Sequence, residues 1–365
     1  MLIIRLDKLS VSLVLALLLQ PPLCAAAESV PAVSAESALL MAANGQCLLE
    51  KDADTERPMA STTKLMTALV VLEHADLEDR VTAKQAHCAV EGSSMYLKAG
   101  ETYTVRELLL GLLLASGNDA ALALAEHVGG SQAEFVRLMN QKARELHLTH
   151  TGFANPHGLD AEGHVSTARD LSVLMLACME NDGFRELTKT PTAEIRGNQL
   201  RNHNRLLLDC PGCIGGKTGY TRSAGRCLVS CCERGGLRLV CVTLSDPDDW
   251  RDHRALYDWA YREYRMLDLS KSCRFNVPVL SGSRETLQAA PASDACLVLP
   301  RTETVKLRAE LPRFVFAPVK KGETAGSVSV IIQARTVVEL PLYFSDSAAL
   351  AFKVQRLFPQ EDSRA

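Results

Sequence analysis

The sequence predicts an α/β chain of the α+β kind: a larger mixed domain over residues 28–266, then a small all-β domain over residues 267–345. Three observations carry this. Leucine-rich segments at helical spacing alternate with strand-like runs as far as about residue 265. Between residues 273 and 343 only short alternating runs remain, with no helical period. The 365 residues are 47% apolar and 23% charged, with mean hydropathy +0.01, which excludes collagen-like, low-complexity and polytopic membrane classes.

The elements follow in order. Arg5 and Lys8, diluted by Asp7, form a weakly basic stretch before an apolar run over residues 9–19, Pro21-Pro22 breaks it, and Cys24-Ala25-Ala26-Ala27 offers a small-residue cleavage site. That pattern is a signal peptide over residues 1–27, since the run is shorter than the ~20 residues a bilayer needs. Lipidation of Cys24 is disfavoured by Pro21-Pro22-Leu23 before it. Export is therefore expected, and cleavage would move the formal net charge from −3 to −4 and leave eleven of the twelve cysteines. Asn44-Gly45 between two apolar runs signals a hairpin. Leu65, Leu69 and Leu72 set a helix over residues 62–75. Thr104 and Glu107 form a capping box that opens a helix reaching about Ala115. Ser116-Gly117-Asn118 interrupts it before a second apolar helix over residues 119–128. Residues 155–166 read as a loop, residues 226–244 as two strands around Gly235-Gly236, and residues 251–265 as a helix carrying Leu256, Trp259 and Tyr264.

In the small domain, strands are expected at residues 277–280, 304–307, 314–316, 328–332 and 337–342. The tail over residues 346–365 includes a segment, 347–358, with Leu350, Val354, Leu357 and Phe358 on one helical face. Two readings stand for it: peripheral membrane association through that face, or a docking or frayed terminus. The balance of 40 Lys+Arg against 43 Asp+Glu, with no basic block, argues against a nucleic-acid partner.

Three short motifs carry the chemistry. Ser61-Thr62-Thr63-Lys64 places a hydroxyl and an amine three residues apart at a helix start, on one face. A lysine there opposes the helix dipole, and positive potential with burial favours a neutral amine able to take the serine proton. Read as ordinary structure, Ser61 is an N-cap and Lys64 is solvated. Ser116-Gly117-Asn118 supplies a second hydroxyl for proton relay and an amide to hold a carbonyl, or else simply ends one helix and caps the next. Lys217-Thr218-Gly219, followed by Tyr220-Thr221, would supply charge and hydroxyls for a carboxylate, with Gly219 letting a substrate backbone approach the strand edge. Its plain alternative is a polar turn. Each motif is weak alone, and the ordered set Ser-x-x-Lys, Ser-x-Asn, Lys-Thr-Gly is strong.

On these motifs the sequence resembles the low-molecular-mass penicillin-binding proteins that act as serine-type D-alanyl-D-alanine carboxypeptidases. The resemblance extends through residues 58–69, Glu91-Gly92-Ser93-Ser94, residues 112–121, Asn155-Pro156-His157-Gly158-Leu159, Ala224-Gly225-Arg226-Cys227-Leu228 and residues 317–322, so it spans about residues 33–342. It implies a penicillin-recognising, β-lactamase/transpeptidase-like fold with a cleft between the sheet edge and the helices. It implies that Ser61 attacks the bond between the terminal D-alanines of a peptidoglycan stem peptide, with Lys64 as general base. Ser116 would relay a proton and Asn118 would position the peptide. Lys217, Thr218 and Thr221 would hold the terminal carboxylate, and backbone N–H groups of Ser61 and of the strand after Gly219 would form the oxyanion hole. A second carboxylate contact would come from His203 or Arg205. β-Lactam antibiotics would acylate Ser61, and no cofactor is implied.

Two other functions compete. A class A-like β-lactamase would need a deacylating Glu, and no Glu-x-x-Leu-Asn loop is legible. A non-catalytic peptidoglycan-binding protein would not need Ser61, Lys64 and Lys217 together. Cys210-x-x-Cys213 and Cys227-x-x-x-Cys231 resemble zinc half-sites, but Lys217-Thr218-Gly219 separates them and Cys227, Cys231 and Cys241 suit small apolar strand positions. A Cys210–Cys213 disulfide is left open, and no metal is expected. His157, Asp160 and His164 fall in a loop the resemblance already covers.

Overall fold

The computed structural model describes residues 30–292 and 295–351. The signal peptide read over residues 1–27, and the tail beyond Ala351, lie outside the described residues. The described chain separates into two compact units, one ending at Tyr264 and the other beginning at Arg265.

In the first unit the Asn44-Gly45 turn joins Ser37–Ala42 to Cys47–Lys51 as an antiparallel hairpin, as the sequence predicts. Ser37–Ala42 pairs with Leu237–Leu244, which pairs with Gly225–Arg234, and Cys213–Thr221 forms the far edge. Among the described residues this makes a five-stranded antiparallel sheet. Helix Ala168–Glu180 packs on three of these strands, and helix Asp249–Glu263 packs on Gly225–Arg234 and Leu237–Leu244. Alternate residues of Gly225–Arg234 therefore face opposite layers. Cys227, Val229 and Cys231 enter the main core, while the Ser230 hydroxyl lies 2.7 Å from His253 Nδ1 and 2.8 Å from the Tyr257 hydroxyl. Because both faces are covered, these strands read as unbroken apolar runs instead of alternations.

The remaining helices fill the main core beside the sheet. Lys64–His74, Val105–Leu114 and Asn118–Gly129 occupy the predicted positions. The Thr104 hydroxyl accepts from the Glu107 amide at 3.1 Å, and the Glu107 carboxylate accepts from the Thr104 amide at 2.7 Å, which completes the capping box. Among the described residues, the longer helices Gln132–Glu145, Ala168–Glu180 and Asp182–Thr188 escape the sequence reading, as do the single turns Gln85–Cys88 and Leu206–Asp209. The signals of the longer helices were local caps, since Ser131, Thr167 and Asn181 each accept from the amide of N3. Helix Asp249–Glu263 ends one residue before Tyr264, which belongs to the next strand.

The second unit is an all-β layer with one helical turn, Leu269–Ser272. Its larger sheet uses Phe275–Leu280, Thr286–Ala290, Val305–Glu310, Val315–Phe316, Thr324–Ile332 and Arg335–Phe344. Thr286–Ala290 and Cys296–Pro300 are strands the sequence reading missed. Burial alternates along Arg335–Phe344, so Val338, Leu340, Leu342 and Phe344 supply its core face. The helix expected from Ser347 is corrected as far as it is described: Ala348 and Leu350 make isolated bridges to Val319 and Gly282, so residues 347–351 are extended.

Candidate active site

The nucleophile segment begins with a 3₁₀ turn, Ala60–Thr63, that runs into helix Lys64–His74. In a 3₁₀ turn residues i and i+3 eclipse, so Ser61 and Lys64 meet more directly than α-helical spacing alone requires. Lys64 Nζ lies 2.9 Å from Ser61 Oγ, 2.8 Å from Asn118 Oδ1 and 2.5 Å from the His157 carbonyl oxygen. Lys64 is wholly buried, so the reading of a solvated lysine is excluded. Burial, and then the charge of Lys217, hold its amine well below the ordinary lysine range, while Asp119 opposes them. A neutral amine has two donors and one lone pair. Asn118 Oδ1 and the His157 carbonyl only accept, so they take both donors and leave the lone pair for the Ser61 hydroxyl proton.

Asn118 is fixed from its other side, because its Nδ2 donates to the Glu91 carbonyl at 2.7 Å. Ser116 is buried at the break between the helices, with φ of 59°. The edge strand Cys213–Thr221 carries the third motif. Lys217 is buried, its amine donates to the Thr218 carbonyl at 2.8 Å, and burial pushes it down to about 7. Gly219 is favoured for a reason the sequence did not expose. A Cβ there would come 3.0 Å from both Ser61 N and Ala60 Cβ and 3.1 Å from the Met59 carbonyl, so the nucleophile's own turn takes up the space.

The Thr221 hydroxyl donates to Asp160 at 2.8 Å and accepts from the Ala224 amide at 3.0 Å, so it ties the strand end to the 155–166 loop instead of standing free beside Lys217. Arg205 is exposed and lies 3.7 Å from Asp209. His203 is exposed as well, and partial desolvation, then the charges of Lys217 and Lys64, hold its imidazole low.

The sequence reading gave no role to the residues that brace this arrangement. Asn155 Oδ1 accepts from the amides of His157 and Gly158 at 3.2 and 2.7 Å, and Thr67 donates to the Pro156 carbonyl at 2.6 Å, which clamps the loop to the nucleophile helix. His164 Nδ1 accepts from the Ala154 amide, so its Nε2–H donates to Thr63 Oγ1 at 2.8 Å, and Thr63 donates to the Ala60 carbonyl at 2.7 Å. Asp119 accepts from the Met95 and Leu97 amides and from Ser94, fixing the segment that leads back to Glu91. Burial pushes His164 and His157 each down to about 4. A histidine near 6.5 when unfolded and near 4 when folded binds more protons in the unfolded state between those values. Stability is therefore expected to fall as pH drops from about 6.5 to 4, by up to about 1.4 kcal/mol per unit for each such imidazole. Thermal melts of wild type and His164→Gln across that range should show a shallower slope in the variant.

A buried lysine on a serine nucleophile, an asparagine on the lysine and a second buried lysine on the adjoining strand define an active-site-serine, penicillin-recognising α/β enzyme. Residues 24–248 match the family model described as D-alanyl-D-alanine carboxypeptidase, and residues 270–348 match penicillin-binding protein 5, C-terminal domain. The chain is 32% identical over 327 residues to D-alanyl-D-alanine carboxypeptidase DacF of Bacillus subtilis, covering 84% of each. It is 34% identical over 351 residues to DacC of Escherichia coli, covering 89% of this chain and 87% of that protein. The structure of penicillin binding protein 5 from Haemophilus influenzae superposes with a TM-score of 0.74 at 26% identity, over 88% of this chain and 99% of that one. The chain belongs to the D-alanyl-D-alanine carboxypeptidase family, as a low-molecular-mass penicillin-binding protein and serine-type hydrolase.

Proposed function

We propose that this chain, exported to the outer face of the cytoplasmic membrane or the cell wall, removes the terminal D-alanine from peptidoglycan stem peptides through an acyl-enzyme on Ser61. Neutral Lys64 takes the Ser61 proton as Oγ attacks the carbonyl between the two D-alanines. The oxyanion forms against the Ser61 amide and the strand after Gly219. Ser116 passes a proton to the leaving amine, D-alanine departs, and water hydrolyses the ester. Asn118 holds the acyl peptide, and Lys217 with Thr218 holds the terminal carboxylate; Thr221 supports the end of that strand. A β-lactam presents the same carbonyl and carboxylate and leaves Ser61 acylated. The observation that carries the reading is the wholly buried Lys64 amine within 2.9 Å of Ser61 Oγ.

Incubation with a diacetyl-Lys-D-Ala-D-Ala peptide should release D-alanine, and benzylpenicillin should leave one covalent adduct by mass spectrometry. Absence of D-alanine release would overturn the assignment. Rapid multiple turnover of nitrocefin, in place of a single burst, would make the chain a β-lactamase.

Catalysis in this scheme needs Lys64 neutral and Lys217 charged. The kcat/KM profile is therefore expected to be bell-shaped, with an acid limb where Lys64 gains a proton and an alkaline limb near about 7 where Lys217 loses one. Arginine stays charged to beyond about pH 12. Lys217→Arg should thus remove the alkaline limb, and a limb left unmoved would belong to another group.

A further inference from the structure

Behind the strand that carries Lys217, three thiols converge that the proposed catalytic cycle does not use. Cys210 and Cys213 bracket the Pro211-Gly212 turn, closed by the Cys213 amide donating to the Cys210 carbonyl at 3.1 Å. Cys232 lies on the neighbouring strand, directly opposite Cys213 in the register. Its side chain shares the layer of Ser230, beneath helix Asp249–Glu263, whereas Cys227 and Cys231 point into the main core. The four cysteines of the apparent zinc half-sites therefore do not come together. Cys232 instead has both Cys210 and Cys213 beside it, and the sulfurs of Cys210 and Cys232, 22 positions apart in sequence, lie 3.8 Å from each other. The Arg234 guanidinium donates to Cys210 Sγ at 3.5 Å and is itself positioned by Asp258 at 2.9 Å. Asn204 Nδ2 lies 3.8 Å from Cys213 Sγ.

We propose that Cys210 and Cys232 are an oxidant-modification site, a dithiol that closes to a disulfide when the folded protein meets a small hydroperoxide. A disulfide needs its sulfurs about 2.05 Å apart, so forming it would shorten the present 3.8 Å separation. Cys210 is the attacking sulfur. The thiol of Cys232 hydrogen-bonded to it, and then the Arg234 charge, push it down to about 7, against a desolvation that raises it. Burial and the two neighbouring sulfurs push Cys232 strongly up, so Cys232 is the thiol that keeps its proton.

The Cys210 thiolate attacks a peroxide oxygen, the O–O bond breaks, and the leaving oxygen takes a proton to depart as water or an alcohol. Cys210 is then a sulfenic acid. Cys232 sulfur attacks it, the S–O bond breaks, and the hydroxyl leaves as water with the Cys232 proton. Two thiols are oxidised to one disulfide and one hydroperoxide is reduced. The resulting loop encloses Cys213–Thr221, so the link restrains the strand that bears Lys217.

The test is stoichiometric hydrogen peroxide added to the reduced, folded full chain, followed by alkylation of remaining thiols and peptide mapping. A mass loss of about 2 Da with a Cys210–Cys232 linked peptide is expected. The link should vanish in Cys210→Ala and in Cys232→Ala and survive in Cys213→Ala and Cys231→Ala. Oxidised wild type should melt at a higher temperature than reduced, and dithiothreitol should reverse the shift. Oxygen addition without any linked peptide overturns the proposal, as does a link that joins Cys213 to either sulfur in wild type. Mapping of wild type alone decides the question even if a variant fails to fold.

Discussion

Ser61→Ala is expected to abolish the covalent penicillin adduct and to lower D-alanine release by at least about 10⁴-fold. The hydroxyl is the atom that bonds to substrate, so the variant leaves no alternative nucleophile on this geometry. The fold should survive. Ser61 Oγ touches Lys64 Nζ at 2.9 Å and the His157 carbonyl only at 3.5 Å, while Lys64 keeps Asn118 and the His157 carbonyl as partners. Losing one such contact costs about 1 kcal/mol, which for a domain of this size lowers the melting temperature by about 2–4 °C. Intact-mass spectrometry after benzylpenicillin, beside a thermal melt, checks both halves. An adduct that persists in Ser61→Ala would refute the nucleophile assignment.

Gly158→Ala should have the second largest effect, through a residue that touches no substrate in the proposed mechanism. Gly158 has φ of +94°, a conformation that costs an L-residue about 1–2 kcal/mol. A Cβ there would also overlap the Ala60 carbonyl oxygen and come 2.9 Å from Ser61 N, both backbone atoms. The nucleophile turn must move, and with it the Ser61 amide and the His157 carbonyl that orients Lys64. Together the strain and overpacking amount to about 3 kcal/mol or more, a loss of roughly 10 °C in melting temperature. Misplacing the nucleophile by about 1 Å costs about 10²-fold in acylation rate. Gly163→Ala is the matched control. Its φ of +70° gives similar backbone strain, but a Cβ there meets nothing within 4 Å, so acylation should be unchanged. Stopped-flow acylation and melts of both variants distinguish a displaced nucleophile from general destabilisation.

The chemistry was legible because it lies in short local patterns. Ser61 and Lys64 are three apart on one turn, Asn118 opens the helix that follows Ser116, and Lys217 and Gly219 share one strand. Spacing within an element survives folding, so the residue types could be read with their geometry attached. The family resemblance then joined the three patterns into one site. The missed helices had caps at Ser131, Thr167 and Asn181, but such signals compete with turns until tertiary packing selects them. The strands Thr286–Ala290 and Cys296–Pro300 were short, and their burial, alternating in the first and continuous over residues 297–299 in the second, is set by their neighbours.

Other features depended on pairs distant in sequence. Lys64 and Asn118 are 54 positions apart, and Lys64 and His157 are 93 apart. Their meeting, and not the tetrapeptide alone, buries the amine and frees its lone pair for Ser61. Asp160 engages Thr221 across 61 positions, a tie between strand end and loop that local spacing does not reveal. Cys210 was grouped with Cys213 by sequence distance, but its sulfur lies 3.8 Å from that of Cys232, 22 positions away. By itself the sequence determined which groups are available and how neighbours within an element face one another, because backbone periodicity is local. Only the tertiary structure decided which of those groups meet, and so which amine is desolvated, which hydroxyl is already bonded and which thiols touch. Those properties depend on burial and distance between segments, which local spacing does not encode.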